Sequence, residues 1–141
     1  MNDPDRALCT ATAGLLRASA AVAAWGLALS CISLLVLALT GRSLPASSWA
    51  AFAVVALAGL LERHAAFRLR QEAAMYAALA QGAIATLPAL DAALVSLGLR
   101  PGGAPPVALP ERVRATRQLL QRQGFTVAVQ TIAFALALAL Q

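Results

Sequence analysis

The hydrophobic positions of this chain fall in long blocks, not in the short alternation of strands. Residues 18–41 run 24 positions without a charge and include LALSCISLLVLAL. A helix needs about 20 apolar residues to cross the hydrocarbon of a bilayer, so this block predicts a first spanning helix, bracketed by Arg17 and Arg42. The apolar core of a signal peptide is only about 7–15 residues, shorter than this run. The next stretch, GRSLPASS at 41–48, reads as a turn, with Ser47 or Ser48 placed to cap the following helix. Residues 43–61 are again uncharged. They predict a second span over 46–61 that opens on an interfacial aromatic, Trp49, and closes at Glu62. Residues 124–141 form a third uncharged block, rich in Leu and Ala, and predict a third span.

Between the second and third blocks the pattern changes. Residues 73–90 carry no charge, but Ala dominates them and Gln81, Gly82, Thr86 and Pro88 interrupt them. Tyr76, Ala80, Ala83, Leu87, Leu90, Leu94 and Leu97 recur at steps of four and three, the spacing of a helix-packing seam. Pro88 restarts the helix: TLPALD places Thr86 as cap, Pro88 early and Asp91 in the first turn, and Gly98 ends it. The Pro/Gly-rich 99–110 is a loop, and Pro110 and Glu111 open a helix whose basic first part, ERVRATRQLLQRQ, leads into the last apolar block. The expected fold is therefore all-α: one integral membrane domain with spans at about 18–41, 46–61 and 124–141. Segment 62–123 forms a cytoplasmic helical stretch with a hairpin arm over 73–97. A fourth span results if 73–90 also crosses.

Charge decides between these topologies. All eleven cationic side chains are Arg, as in proteins from GC-rich bacterial genomes. With three spans, ten of the eleven (all but Arg42) fall on one side. With four spans, Arg100, Arg112, Arg114, Arg117 and Arg122 move across. Cytoplasmic loops carry the excess of Arg and Lys, so three spans are expected, with a cytoplasmic N-terminus in a bacterial inner membrane.

Composition agrees. Hydrophobic residues make up 60% of the 141 positions and charged residues 12%, about half the charged share of soluble domains. The pI near 11.0 follows from the same Arg excess, and no aromatic platform accompanies it to suggest nucleic acid.

Candidate chemistry is sparse. The single histidine, His64, shares a helical face with Arg68 and Glu72, which is too few ligands for a metal site. Cys9 and Cys31 lie far apart and have no second histidine to draw on. Ser30 and Ser33, inside the first span, are expected to bond back to helix carbonyls. Glu62 is the one carboxylate near a span and is expected to mark the lipid boundary. No catalytic, metal or cofactor residues are expected, and the chain is not expected to be an enzyme.

The clearest feature is the set Arg63, Arg68, Arg70, Arg112, Arg114, Arg117 and Arg122, which suits contact with anionic lipid headgroups or an acidic partner. Small residues such as Ala24, Gly26, Ala56 and Gly59 allow close helix approach. The function expected is that of an accessory, assembly or scaffold subunit acting by contact with another membrane protein or with itself. The alternative is a small homo-oligomeric transporter or channel lined by Gln81, Gln130, Thr131 and the serines of the first span. A reporter fused near residue 104 tests the topology: it should fluoresce as a cytoplasmic fusion, and phosphatase activity there would refute three spans.

Overall fold

Helix α1, Asp3–Thr40, opens with Asp3 and Asp5 in its first turn, where carboxylates meet the exposed N–H groups of the helix end. It continues for 38 residues, well past the apolar block in both character and length. After a short turn α2 runs over Ala46–Ala80. Its first turn contains Ser47 and Ser48, so neither is the cap suggested by the sequence; the Trp49 amide instead bonds to the Pro45 carbonyl at 3.0 Å. Helix α4, Leu109–Ala139, carries Pro110 near its start and Glu111 in its first turn. The computed structural model describes residues 2–40, 42–99, 101, 103 and 105–140. Gly41 and Arg100, which entered the sequence reading as a turn residue and a basic-side charge, lie outside them.

The break between α2 and α3 is set locally. Gly82 takes φ +75, a left-handed conformation that glycine adopts without a Cβ clash. Helix α3, Leu87–Ser96, then starts on the Thr86 hydroxyl, which accepts the Ala89 amide at 3.3 Å, with Pro88 in the first turn. It stops at Gly98, φ +68. Asp91 lies beyond the first turn.

The helix restart expected at Pro88 is present: the chain leaves helical geometry between Ala80 and Leu87, so residues 73–90 do not form a fourth span. At 10 residues and about 1.5 Å per residue, α3 is far too short to span. The seam drawn from Tyr76 to Leu97 likewise divides between two helices, with Ala83 and Leu97 exposed. The first limb of the expected hairpin arm is simply the end of α2. The architecture is all-α, with three long apolar helices of membrane-spanning length and one shorter helix forming a separate arm.

The chain divides into two units. The membrane unit holds Ala18–Arg68 and Leu119–Gln141, which covers most of the three uncharged blocks. In it, α2 runs antiparallel to α1 and α4: Gly59 meets Ser30, while Arg63 reaches back to Ala23, and Phe52 meets Phe134 edge-on with centroids 5.8 Å apart. Its inner positions recur at steps of three and four: Ser19, Ala23, Gly26, Ser30 and Ser33 on α1; Ser48, Phe52, Val55, Gly59, Glu62 and Ala66 on α2; Gln123, Val127, Gln130 and Ala137 on α4. Its outer positions are the large apolar ones, such as Leu34, Leu35, Leu57, Leu61, Phe125 and Ile132. Small and polar residues inside with large apolar residues outside is the distribution that lipid, not water, selects.

The Arg-rich unit, Met1–Arg17 and Leu69–Gln118, buries Cys9, Leu16, Leu69, Ala73, Tyr76, Leu79, Leu90 and Leu109. Its polar pins are a Tyr76–Thr116 hydroxyl pair at 3.2 Å and an Arg112–Asp91 ion pair that ties α3 to α4. Burial, together with the Asp5 carboxylate, pushes the Cys9 thiol up from its ordinary range. Burial likewise raises the Tyr76 phenol, against the opposing effect of the Thr116 hydrogen bond.

The closest helix approach gives a direct test. A Cβ added at Gly59 would lie 2.0 Å from Ser30 Oγ and 2.8 Å from Ser30 Cβ, so α1 and α2 must separate to admit it. Gly124 has nothing within 4 Å of its missing Cβ. Gly59→Ala should lower unfolding stability in detergent by about 1–3 kcal/mol. Gly124→Ala should leave it unchanged or raise it by up to about 1 kcal/mol through helix propensity.

Candidate functional site

A file of polar side chains runs through the interior of the membrane unit. Ser30 follows the expected pattern, its hydroxyl donating to the Gly26 carbonyl at 2.9 Å. The same oxygen accepts Gln130 Nε2 at 3.0 Å, and Gln130 Nε2 also reaches the Val55 carbonyl at 3.2 Å. One carboxamide from α4 thereby touches α1 and α2 together. Gly26 makes room for this: its missing Cβ would lie 3.1 Å from Gln130 Oε1 and 3.3 Å from the Glu62 carboxyl carbon.

Glu62 sits in the next layer and is 1% exposed. It stands at the end of the apolar block of α2, as expected for a boundary residue, but its side chain points inward. Gln123 Nε2 donates to its Oε1 at 2.9 Å, and Arg63 Nε donates to its Oε2 at 2.9 Å. The Arg63 guanidinium also bonds the Ala23 carbonyl on α1. A buried carboxylate is tolerated only when paired and hydrogen-bonded, and here both conditions are met by Arg63 on α2 and Gln123 on α4. Outside this file, the Trp25 indole N–H donates to Thr131 Oγ1 at 3.1 Å.

Among the described residues, Ser33 Oγ, Ser48 Oγ, Gln123 Oε1 and Gln130 Oε1 are buried in this unit without a hydrogen-bond partner. The two carboxamide oxygens are acceptors in the same interior as Glu62, and a buried acceptor left open costs about 1–3 kcal/mol.

The residues singled out from the sequence divide into two groups. Arg63 and Arg112 are committed within the protein, to Glu62 and Ala23 and to Asp91 and Val107 respectively. Arg68, Arg70, Arg114, Arg117 and Arg122 are exposed. Of the suggested pore residues, Ser30 and Gln130 meet, Thr131 is bonded to Trp25, and Gln81 is exposed in the Arg-rich unit. His64 is exposed. Among the described residues no group of three His, Cys, Asp or Glu side chains converges. Glu62 as an interior residue and Gln123 as its partner were not anticipated. Their signal is the three-and-four spacing Ser48, Phe52, Val55, Gly59, Glu62, Ala66, visible once small and polar residues are counted as inner positions.

Comparison with family models, curated proteins and solved structures gives no match for this chain.

The pairing of Glu62 with Arg63 has a measurable consequence. Arg63→Met leaves a buried carboxylate without its cation and should cost about 2–4 kcal/mol, below the value for a fully buried pair because the guanidinium is about one-third exposed. Adding Glu62→Gln to that variant should restore most of the loss in detergent unfolding. A double variant no more stable than Arg63→Met alone would refute the pairing.

Proposed function

We propose that this protein is a multi-pass membrane anchor that acts by contact, as an accessory or scaffold subunit of a bacterial inner-membrane assembly, with its N-terminus on the cytoplasmic side. The observation that carries this reading is in the Arg-rich unit. The end of α3 and its exit present Val95, Leu97 and Leu99 to the outside, the last two about 70% and 68% exposed, beyond any helix of spanning length. Exposed apolar side chains outside a membrane mark a contact surface. The same unit exposes Arg114 and Arg117, which suits an acidic partner surface or anionic headgroups at its rim. The Arg112–Asp91 ion pair fixes α3 on α4, so the apolar end is held and not merely trailing.

The alternative, a small homo-oligomeric transporter or channel, draws support from Glu62 and the open acceptors of Gln123 and Gln130. Against it, Gly59 packs against Ser30 so closely that a methyl group does not fit between α1 and α2.

A photo-crosslinking residue placed at Leu97 in living cells should give one discrete protein adduct, while the same probe at lipid-facing Leu57 gives lipid adducts only. Lipid adducts alone at Leu97 would overturn the contact reading. Ion flux in proteoliposomes that Glu62→Gln abolishes would replace it with the transporter.

A further inference from the structure

At the end of the membrane unit where α1 gives way to α2, an open groove of about 450 Å³ is lined by Leu37, Leu39, Thr40, Arg42, Ser43 and Trp49. Its one charged group is a cation, the Arg42 guanidinium, and its two hydroxyls have their protons engaged within the chain. The Thr40 hydroxyl donates to the Val36 carbonyl at 2.8 Å, and the Ser43 hydroxyl to the Thr40 carbonyl at 2.9 Å. The donors left to a ligand are the Arg42 guanidinium and the Trp49 indole N–H. Neither group can accept a hydrogen bond.

Among the described residues no carboxylate pairs with Arg42. The chain has six acidic residues, and Glu62 alone among them belongs to this unit, where Arg63 and Gln123 already hold it. The groove therefore calls for an anion. Its apolar wall, Leu37, Leu39 and the face of Trp49, with Leu39 and Trp49 75% and 50% exposed, calls for hydrocarbon on the same molecule.

We propose that this groove binds the phosphodiester headgroup of an anionic phospholipid, with the upper acyl chain along Leu37 and Leu39. The position fits: Arg42 follows the last outward-facing leucine of α1 by three residues, and Trp49 stands at the start of the apolar part of α2, both at headgroup level. The volume fits a headgroup and adjoining methylenes. An amine-bearing headgroup brings its own cation to Arg42, so a glycerol headgroup is favoured over a choline or ethanolamine one. Positive-inside anchoring does not explain this site, because Arg42 is the one arginine apart from the other ten.

The protein has two tryptophans, so Trp25→Phe leaves Trp49 as the sole tryptophan, excited selectively over Tyr76 at the red edge of the absorption band. In proteoliposomes, quenching of Trp49 by phosphatidylglycerol brominated near the carbonyl end of its chains is compared with quenching by phosphatidylcholine brominated at the same position. The intact groove should prefer phosphatidylglycerol by about fivefold, the effect of one arginine at a membrane surface. Arg42→Gln should bring the ratio to unity, and Arg42→Lys should retain part of it. Equal quenching by the two lipids with Arg42 present, or a preference that survives Arg42→Gln, would overturn the site.

Discussion

A polar side chain enclosed by helices that stand in lipid has no water to fall back on, and the membrane unit is organised around that constraint. Apolar burial does not draw these helices together, because lipid tails are as apolar as leucine. Close packing and interhelical hydrogen bonds must do so. Gln130 meets Ser30 on α1 and Val55 on α2, and Gln123 and Arg63 converge on Glu62. Sliding any one helix by a turn breaks these bonds and leaves a charge or carboxamide unpaired in the interior. The network therefore selects one register among the many that Ala-rich helices would otherwise allow.

Glycine placement follows from the same constraint. Gly26 leaves space at the level of Glu62 and Gln130, and Gly59 lets α2 approach Ser30. The short interhelical distance is what brings Gln130 within reach of a carbonyl on α2. Most of the large apolar side chains appear on the outer faces, where lipid receives them, while Phe52, Val55 and Leu29 pack inside beside the glycines. Outside the apolar blocks the exposed groups include arginines and the apolar end of α3.

Features set by neighbours a few residues apart were legible in the sequence. The uncharged blocks, the Thr86 cap, Pro88 and the Gly98 stop all read correctly, because length, φ preference and capping are local properties. The continuity of α2 through LLERHAAFRLRQE was not legible from charge. Charge marks where lipid ends, and Leu, Glu, Arg, Gln and Ala are all good helix formers, so nothing there ends the helix itself. The inward turn of Glu62 was hidden for a different reason. Periodicity is ordinarily sought among large apolar residues, and in this unit most of those line the outside. The inner face mixes Ser, Gly, Ala, Gln and one Glu with only a few large apolar residues such as Phe52 and Val55, so a hydrophobic seam alone does not trace it. A search for such seams draws one through Leu87, Leu90 and Leu94 instead, on the far side of a chain break.

The arginines act at two different stages. When helices first enter a bilayer, every arginine counts toward orientation, and the asymmetry of ten to one operates on unpaired charges. Once the bundle has formed, Arg63 is bonded to Glu62 and Arg112 to Asp91, and their charge is largely answered within the protein. Among the described residues the folded surface then presents a smaller set: Arg6, Arg17, Arg68, Arg70, Arg114, Arg117 and Arg122, with Arg42 apart from them. A count of arginines thus bears on topology, whereas the folded surface presents only the subset whose guanidinium groups remain uncommitted.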